Sequence, residues 1–345
     1  MSELGRKGHH GPPWKRRYYH NAREAGQSCW NVTFETKAVI DFQRYIGIDW
    51  SGAGGDDDRV GLRVVEARDG RAPRAVAPPT NPRAKNWKRA EVREFLREAL
   101  RSDADKTLVG IDAALGYPAG ADEAVFGVRG WRGLVAEIAA LVSAVGTARE
   151  TVDRINARHA ELPGVPFFSR RTDIIDREWW RETHDSHGFF TETGISYYRF
   201  VDTLIPQAIS VFYMGPGPMV GGHTITCLAT LHSLLEERDE GGDLDFGMWL
   251  FEEDWRERKH VIVECYPSIL PATPGGDESE SRDHLDAVKI AAWMQGLSSG
   301  ERRALLEIEA EVGEGLRRVV AQEGWVFGVP APAKRSALMR VWRGR

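Results

Sequence analysis

The stretch that decides the fold is "YIGIDWSGAGGDDD", residues 45–58, in which a strand-like apolar run ends at Asp49 and enters a glycine-rich loop. A second stretch, "TLVGIDAALGYP" at 107–118, repeats the Gly-Ile-Asp ending at Asp112. A carboxylate carried into the interior of a sheet is costly unless something compensates its charge. The question is therefore which group compensates the negative charges of these two aspartates.

The elements around these two strands limit the topology. Residues 59–66 and 71–77, separated by "DG", predict a hairpin after the first strand, and "WKRAEVREFLREAL" at 87–100 predicts an amphipathic helix. Hairpin strands extend one side of strand one, whereas a helical crossover returns the chain parallel to it on the other side. Strand one then lies at the switch point of an α/β sheet, and Asp49 and Asp112 stand together at the crevice beyond the strand ends.

Two later segments carry further acids. "HVIVECYP" at 260–267 predicts the last strand, whose Glu264 either points into the same crevice or is exposed on an edge strand; the apolar residues around it favour the crevice. "SRDHLDAVKIAAWMQGL" at 281–297 predicts a helix in which Asp283 and Asp286, three residues apart, share one face. The helix macrodipole alone explains an acid in the first turn, such as Asp283, but explains Asp286 less well.

The chain divides into four segments on this reading. Residues 1–43 form a basic N-terminal extension, 44–118 the first part of the core, 119–257 a mostly helical insertion, and 258–345 the second part of the core with C-terminal helices. A long helix is expected near residues 131–160 of the insertion.

Composition bounds the class of protein. The three cysteines lie far apart and show no zinc spacing, no apolar run reaches the ~18 residues of a membrane helix, and the first thirty residues lack the apolar stretch of a signal peptide. A cytoplasmic protein that does not enter a membrane is expected.

Basic residues are concentrated at the two ends of a chain whose net charge is −5. The N-terminal "PPWKRRYYH" alternates cations with aromatic rings, as nucleic-acid-binding arms do, so Lys15, Arg16 and Arg17 are candidate contacts to nucleic acid. A solvated terminus with no binding role is the alternative.

Four motifs occur in order: "GIDWSGA", "VGIDAALGYP", "VIVECYP" and "HLDAVKIAAW". Together they resemble the ribonuclease H-like superfamily and, within it, the family called domain of unknown function 429, whose members are described as predicted nucleases. The resemblance covers roughly residues 44–118 and 258–297. It implies a mixed five-stranded sheet in the order 3-2-1-4-5, a large helical insertion between strands 4 and 5, and an acidic divalent-metal centre.

The resemblance also implies the site, with the motif positions at Asp49, Asp112, Glu264 and Asp286. Hydrolysis of a phosphodiester through two Mg²⁺ or Mn²⁺ ions needs carboxylates that hold the ions ~4 Å apart. Asp49 is then the bridging ligand, the other three complete the metal shells, and Asp283 or His284 assists. "FSRRTDIID" at 168–176 resembles an arginine-aspartate element of that family, so Arg170 and Arg171 are expected either to clamp a phosphate or to form structural ion pairs.

The sequence therefore predicts a metal-dependent nuclease or phosphodiesterase, with DNA or RNA as its partner. Two other classes stay open. One is a phosphotransferase or ATPase of the actin and sugar-kinase type, although "DWSGAGG" only partly resembles the phosphate loop of those proteins. The other is a catalytically silent nucleic-acid-binding component of a larger assembly. A further explanation of the motifs is that the acids only cap turns and helix starts.

Overall fold

The computed structural model describes residues 41–68, 70–169, 184–215, 219–271, 280–308 and 312–332. These residues form a mixed α/β structure around a six-stranded sheet in the order β3-β2-β1-β4-β6-β5. The strands are β1 (Arg44–Asp49), β2 (Arg63–Arg68), β3 (Arg71–Ala75), β4 (Thr107–Asp112), β5 (Phe246–Met248) and β6 (His260–Glu264). β1, β4, β6 and β5 run parallel, while β2 and β3 form the antiparallel hairpin on the other side of β1.

The sheet has one more strand than the five predicted. The five predicted strands keep their expected order, and the additional strand β5 lies beyond β6 at the edge of the sheet. β5 has three residues, all buried, and it belongs to the segment predicted as helical insertion. A buried strand this short shows no alternation of polar and apolar residues, so the sequence pattern does not reveal it.

Helices cover both faces of the sheet. They are α1 (Arg89–Ala99), α2 (Ala121–Ala124), α3 (Gly130–Val145), α4 (Ala148–Ala157), α5 (His184–Thr193), α6 (Val220–Asp239), α7 (Arg282–Gly296), α8 (Ser299–Leu306) and α9 (Glu314–Glu323). Ile46 and Ile48 pack with α1, α3 and α6 in the core on one face. Tyr45 and Leu108 pack with α7 in the core on the other face.

The single long helix expected near residues 131–160 is two helices. α3 ends at Gly146, which has a left-handed φ of 85°, and α4 continues at an angle of 112°. Within the described ranges no single helix is long and apolar enough to cross a membrane; this bent pair meets the criteria of length and composition together. Trp131, Leu134 and Ile138 of α3 are buried in the core.

Candidate metal centre

The two Gly-Ile-Asp endings lie side by side in the sheet. In the parallel pairing of β1 with β4, Gly47 is opposite Gly110 and Asp49 is opposite Asp112. Because side chains alternate between the faces of a strand, each glycine shares a face with the aspartate two residues later. Both aspartates therefore project at the carboxyl end of the sheet on the face that α7 covers.

The paired glycines let α7 pack close to that face. A Cβ on Gly47 would lie 2.2 Å from the carbonyl oxygen of Ala287 in α7, and one on Gly110 would lie 2.6 Å from a methyl of Ile290. Any larger residue at these two positions would push the helix away. The close approach brings Asp286 of α7 to the ends of both strands.

Asp49, Asp112 and Asp286 form what we call the acidic triad. One carboxylate oxygen from each residue lies within 4.8 Å of the other two. Asp49 is 9% exposed, and the Asp286 side chain is 23% exposed. The triad is therefore largely buried and remains open to solvent on the side of Asp286.

The electrostatics of the triad are those of an uncompensated cluster. Burial, and then the charge of Asp112, raise the pKa of Asp49 well above its ordinary value. Burial and the charge of Asp286 raise the pKa of Asp112 to about 7. Burial also raises the pKa of Asp286, although Arg282 and Lys289 oppose that shift. Without a cation, the folded protein retains protons on carboxyl groups that would be ionised in water.

The cationic side chains beside the triad compensate it only weakly. Arg282 lies 3.6 Å from Asp286, and its side chain is 88% exposed, so water screens much of its attraction. Lys289 donates to the carbonyl oxygen of Pro267. Asp283, one turn before Asp286 on α7, adds negative charge because its carboxylate also acts on Asp49. These neighbouring cations do not neutralise the triad, which could hold a metal ion.

Glu264 is not among the three carboxylates that converge in the triad, although its charge acts on Asp112. In the pairing of β4 with β6, Glu264 is opposite Ile111, the residue before Asp112, so it faces the other side of the sheet. Its two carboxylate oxygens accept hydrogen bonds from Arg199 at 2.6 and 2.7 Å, and one also accepts from the amide of Leu115. The apolar run around Glu264 correctly indicated burial but did not indicate the face.

Arg199, Asp202 and Glu264 form a second group, which we call the arginine cluster. Arg199 is 2% exposed and also pairs with both carboxylate oxygens of Asp202. Glu323 lies beside it and accepts hydrogen bonds from the amides of Ala119 and Phe200. The sequence reasoning missed this group, because an arginine and an aspartate three residues apart in an irregular segment look like surface residues.

A buried arginine also fixes the loop that follows Asp49. Arg89 is 1% exposed and donates to the carbonyl oxygens of Ser51, Ala53 and Gly54. Trp50 donates to the hydroxyl of Thr226 at 3.0 Å, which ties the end of β1 to α6. Arg89 gave no signal in the sequence, since it opens a helix that contains two further arginines, Arg93 and Arg97.

Five of the predicted contact residues lie outside the described residues: Lys15, Arg16, Arg17, Arg170 and Arg171. The structure thus brings together three of the predicted acids, places Asp283 next to them and places Glu264 elsewhere. Three carboxyl groups that converge in this way, with raised pKa values, could hold a metal ion. No family model, curated protein or solved structure matches the chain.

Proposed function

We propose that the protein is a divalent-metal-dependent phosphodiesterase of the ribonuclease H-like type that hydrolyses phosphodiester bonds of nucleic acid. The observation that carries the proposal is the acidic triad, which two paired strands and a closely packed helix assemble from three distant parts of the chain. The order of the five predicted strands supports the proposed fold type. The weak compensation of the triad by neighbouring cations supports a metal role over a purely structural one.

Each aspartate has its own role in the proposed metal centre. Bound Mg²⁺ or Mn²⁺ would act as a Lewis acid on the phosphoryl oxygens and lower the pKa of water. Asp49 interacts with each of the neighbouring aspartates and is therefore the central ligand. Asp112, from the next strand, and Asp286, from α7, would hold the same ion. Asp283 is the additional carboxylate available to a second ion, in place of the predicted Glu264.

The experiment is metal-dependent cleavage of single- and double-stranded DNA and RNA by the wild type and by Asp49→Asn. The substitution keeps the shape of the side chain and removes its charge. Because a metal ion contributes several kcal/mol to the transition state, we expect activity to fall by about three orders of magnitude. The melting temperature of the metal-free variant should stay the same or rise, since the substitution relieves repulsion.

Asp57→Asn is the matched control, because Asp57 lies eight residues after Asp49 and its side chain is 88% exposed. It should keep full activity. Asp49→Asn protein that cleaves like the wild type would refute the proposal. A wild type that hydrolyses ATP and leaves all four polynucleotides intact would favour the phosphotransferase class instead.

A further inference from the structure

A cavity of about 60 Å³ lies beyond the carboxyl ends of β4 and β6, and Asp112 of the acidic triad forms part of its wall. Its other walls come from three parts of the chain: Ala113 and Ala114 after β4, Ile205 to Ile209 in the insertion, and Val220 at the start of α6. The walls are mostly apolar. A group inside the cavity would therefore sit directly beside the proposed metal ligand Asp112 and against a largely apolar surface.

The cavity wall holds one guanidinium, that of Arg199, and the carboxyl groups of Asp112, Asp202 and Glu264, so no positive charge is left over. Arg199 uses its guanidinium on Asp202 and Glu264, at 2.6 to 3.1 Å. The cavity therefore presents no free cation to which a phosphate could bind, and an anion placed there would face the carboxylates of the same cluster. The occupant that this wall accepts is uncharged.

His223 supplies a polar contact in the cavity wall. Among the described residues, no hydrogen bond to its imidazole is present, and the side chain lines the cavity. Burial, and then the charge of Arg89, lower the pKa of His223 to about 4, so the ring is neutral at pH 7. A neutral imidazole offers one hydrogen-bond donor and one acceptor, which together match a hydroxyl group.

The volume limits the size of the occupant. One water needs ~10–15 Å³ of a cavity measured in this way, so the cavity holds several waters or a group of a few heavy atoms. An engineered apolar cavity that binds benzene is ~150 Å³. A phenyl ring or a nucleobase is therefore too large for this cavity, whereas a hydroxyl-bearing edge of a sugar or a glycerol-like group fits.

Resting on the proposed function, we propose that this cavity binds the ester group on one side of the scissile phosphate, and that this group is small, uncharged and hydroxyl-bearing. The phosphate then lies over the acidic triad, and the base of a nucleotide stays outside the cavity. Cleavage should accordingly be indifferent to base identity and sensitive to the sugar or alcohol at that position.

The test measures binding of three phosphodiesters to the Mg²⁺-loaded full chain by saturation-transfer NMR: bis(2-hydroxyethyl) phosphate, diethyl phosphate and diphenyl phosphate. We expect the hydroxyethyl diester to bind more tightly than the ethyl diester, and both to bind at least about tenfold more tightly than the phenyl diester. The spectra are recorded before any hydrolysis product is detectable, so the measurement does not depend on turnover. Equal affinity for the phenyl and hydroxyethyl diesters would overturn the proposal.

Two variants report on the cavity itself. Ala208 is a half-buried residue of the cavity wall, and Ala208→Leu fills the cavity. The variant should bind the hydroxyethyl diester about tenfold more weakly and bind Mn²⁺ with unchanged affinity. Ala124→Leu, at a half-buried alanine of α2 away from the cavity, is the matched control and should change neither affinity. His223→Leu should remove the preference for hydroxyethyl over ethyl. Unchanged diester binding by Ala208→Leu would overturn the proposal.

Failure of this inference and failure of the proposed function give different results. If the Ala208→Leu protein cleaves polynucleotides and binds the diesters as the wild type does, only the cavity assignment is overturned. Diester binding with the expected order of affinity, but no hydrolysis of any polynucleotide, would overturn the nuclease proposal and leave the cavity as a binding site. Glycerol tested on the metal-free protein should give a saturation-transfer signal that Ala208→Leu removes, and a signal unchanged by that variant would count against the cavity.

Discussion

The acidic triad and the arginine cluster lie at the same edge of the sheet but on opposite faces. Each gathers buried carboxylates from separate segments of the chain. In the arginine cluster, Arg199 reaches every carboxylate oxygen of Asp202 and Glu264 at hydrogen-bond distance. In the triad, the nearest guanidinium is the exposed Arg282 at 3.6 Å from Asp286.

This difference separates a structural cluster from a candidate site. A buried charge is tolerated when a partner inside the protein compensates it, and such a group stabilises the fold only as a complete set. A buried cluster without an internal partner must keep its protons or take a cation from solution. The two clusters should therefore respond in opposite directions when one charge is removed.

The largest effect is expected for Arg199→Met, which keeps most of the side-chain volume and removes the charge. Asp202 and Glu264 would be left buried without their partner. Breaking a buried ion pair in this way costs about 3–5 kcal/mol of unfolding free energy. Urea unfolding of the metal-free protein measures the loss.

Two controls sharpen that result. Arg258→Met removes a half-exposed partner of Asp254 and should cost no more than about 1 kcal/mol. Glu264→Gln should change Mn²⁺ affinity only slightly, because this carboxylate lies on the opposite face of the sheet and acts on Asp112 only through its charge. A large fall in Mn²⁺ affinity in Glu264→Gln would show that the two clusters form one site.

The next effect concerns pH. Between about pH 4 and pH 7 the folded protein holds a proton on Asp112 that the unfolded chain has lost, because the folded pKa is raised to about 7. The unfolded state then binds fewer protons, so the stability of the metal-free protein falls as pH rises through this window. Mn²⁺ binds the ionised carboxylates and should remove this fall in stability. At a Mn²⁺ concentration of a hundred times its Kd, binding adds about 2.7 kcal/mol to the free energy of unfolding.

Melting curves from pH 4 to pH 8, with EDTA or with Mn²⁺, test this prediction. Burial also raises the pKa of Glu323 to about 7, so part of the fall belongs to a group outside the triad. That part is independent of metal, and the difference between the two series isolates the triad. In Asp112→Asn the difference should be small, and a wild-type difference that does not grow with pH would contradict the metal centre.

A third effect follows from the packing that builds the triad. Gly47→Ala places a methyl against the backbone of α7 at Ala287 and Ala291, which shifts the helix and moves Asp286. Overpacking of this kind costs about 1–3 kcal/mol, and Mn²⁺ affinity should fall with it. Gly296 lies at the end of the same helix, and a Cβ there would have nothing within 4 Å. Gly296→Ala should therefore leave Mn²⁺ affinity unchanged and leave stability unchanged or slightly higher. Equal behaviour of the two variants would mean that close packing of α7 does not position the site.

The sequence predicted the centre of the fold well because its signals there are local. Two Gly-Ile-Asp endings, a hairpin and a crossover helix suffice to place Asp49 beside Asp112, and the position of Asp286 inside a helix pointed to the third ligand. The face of Glu264 could not be predicted, because it depends on the register between β4 and β6, and a shift of one residue reverses it. Arg199 and the edge strand β5 depend on contacts between distant segments that leave no periodic pattern.

The smallest effect compares two acids of one helix. Asp283 lies in the first turn of α7, where the macrodipole favours a negative charge, so Asp283→Asn should cost about 0.3–1 kcal/mol. Asp286→Asn should stabilise the metal-free protein, because it relieves repulsion within the triad, and should abolish tight Mn²⁺ binding. Calorimetric titration adds the stoichiometry: if Asp283 serves a second ion, the Asp283→Asn protein binds one Mn²⁺ fewer than the wild type and retains the tighter site. An Asp283→Asn protein that loses the tighter site, or an Asp286→Asn protein that keeps it, would show that the ligand set is built around the first turn of the helix and not around the paired strands.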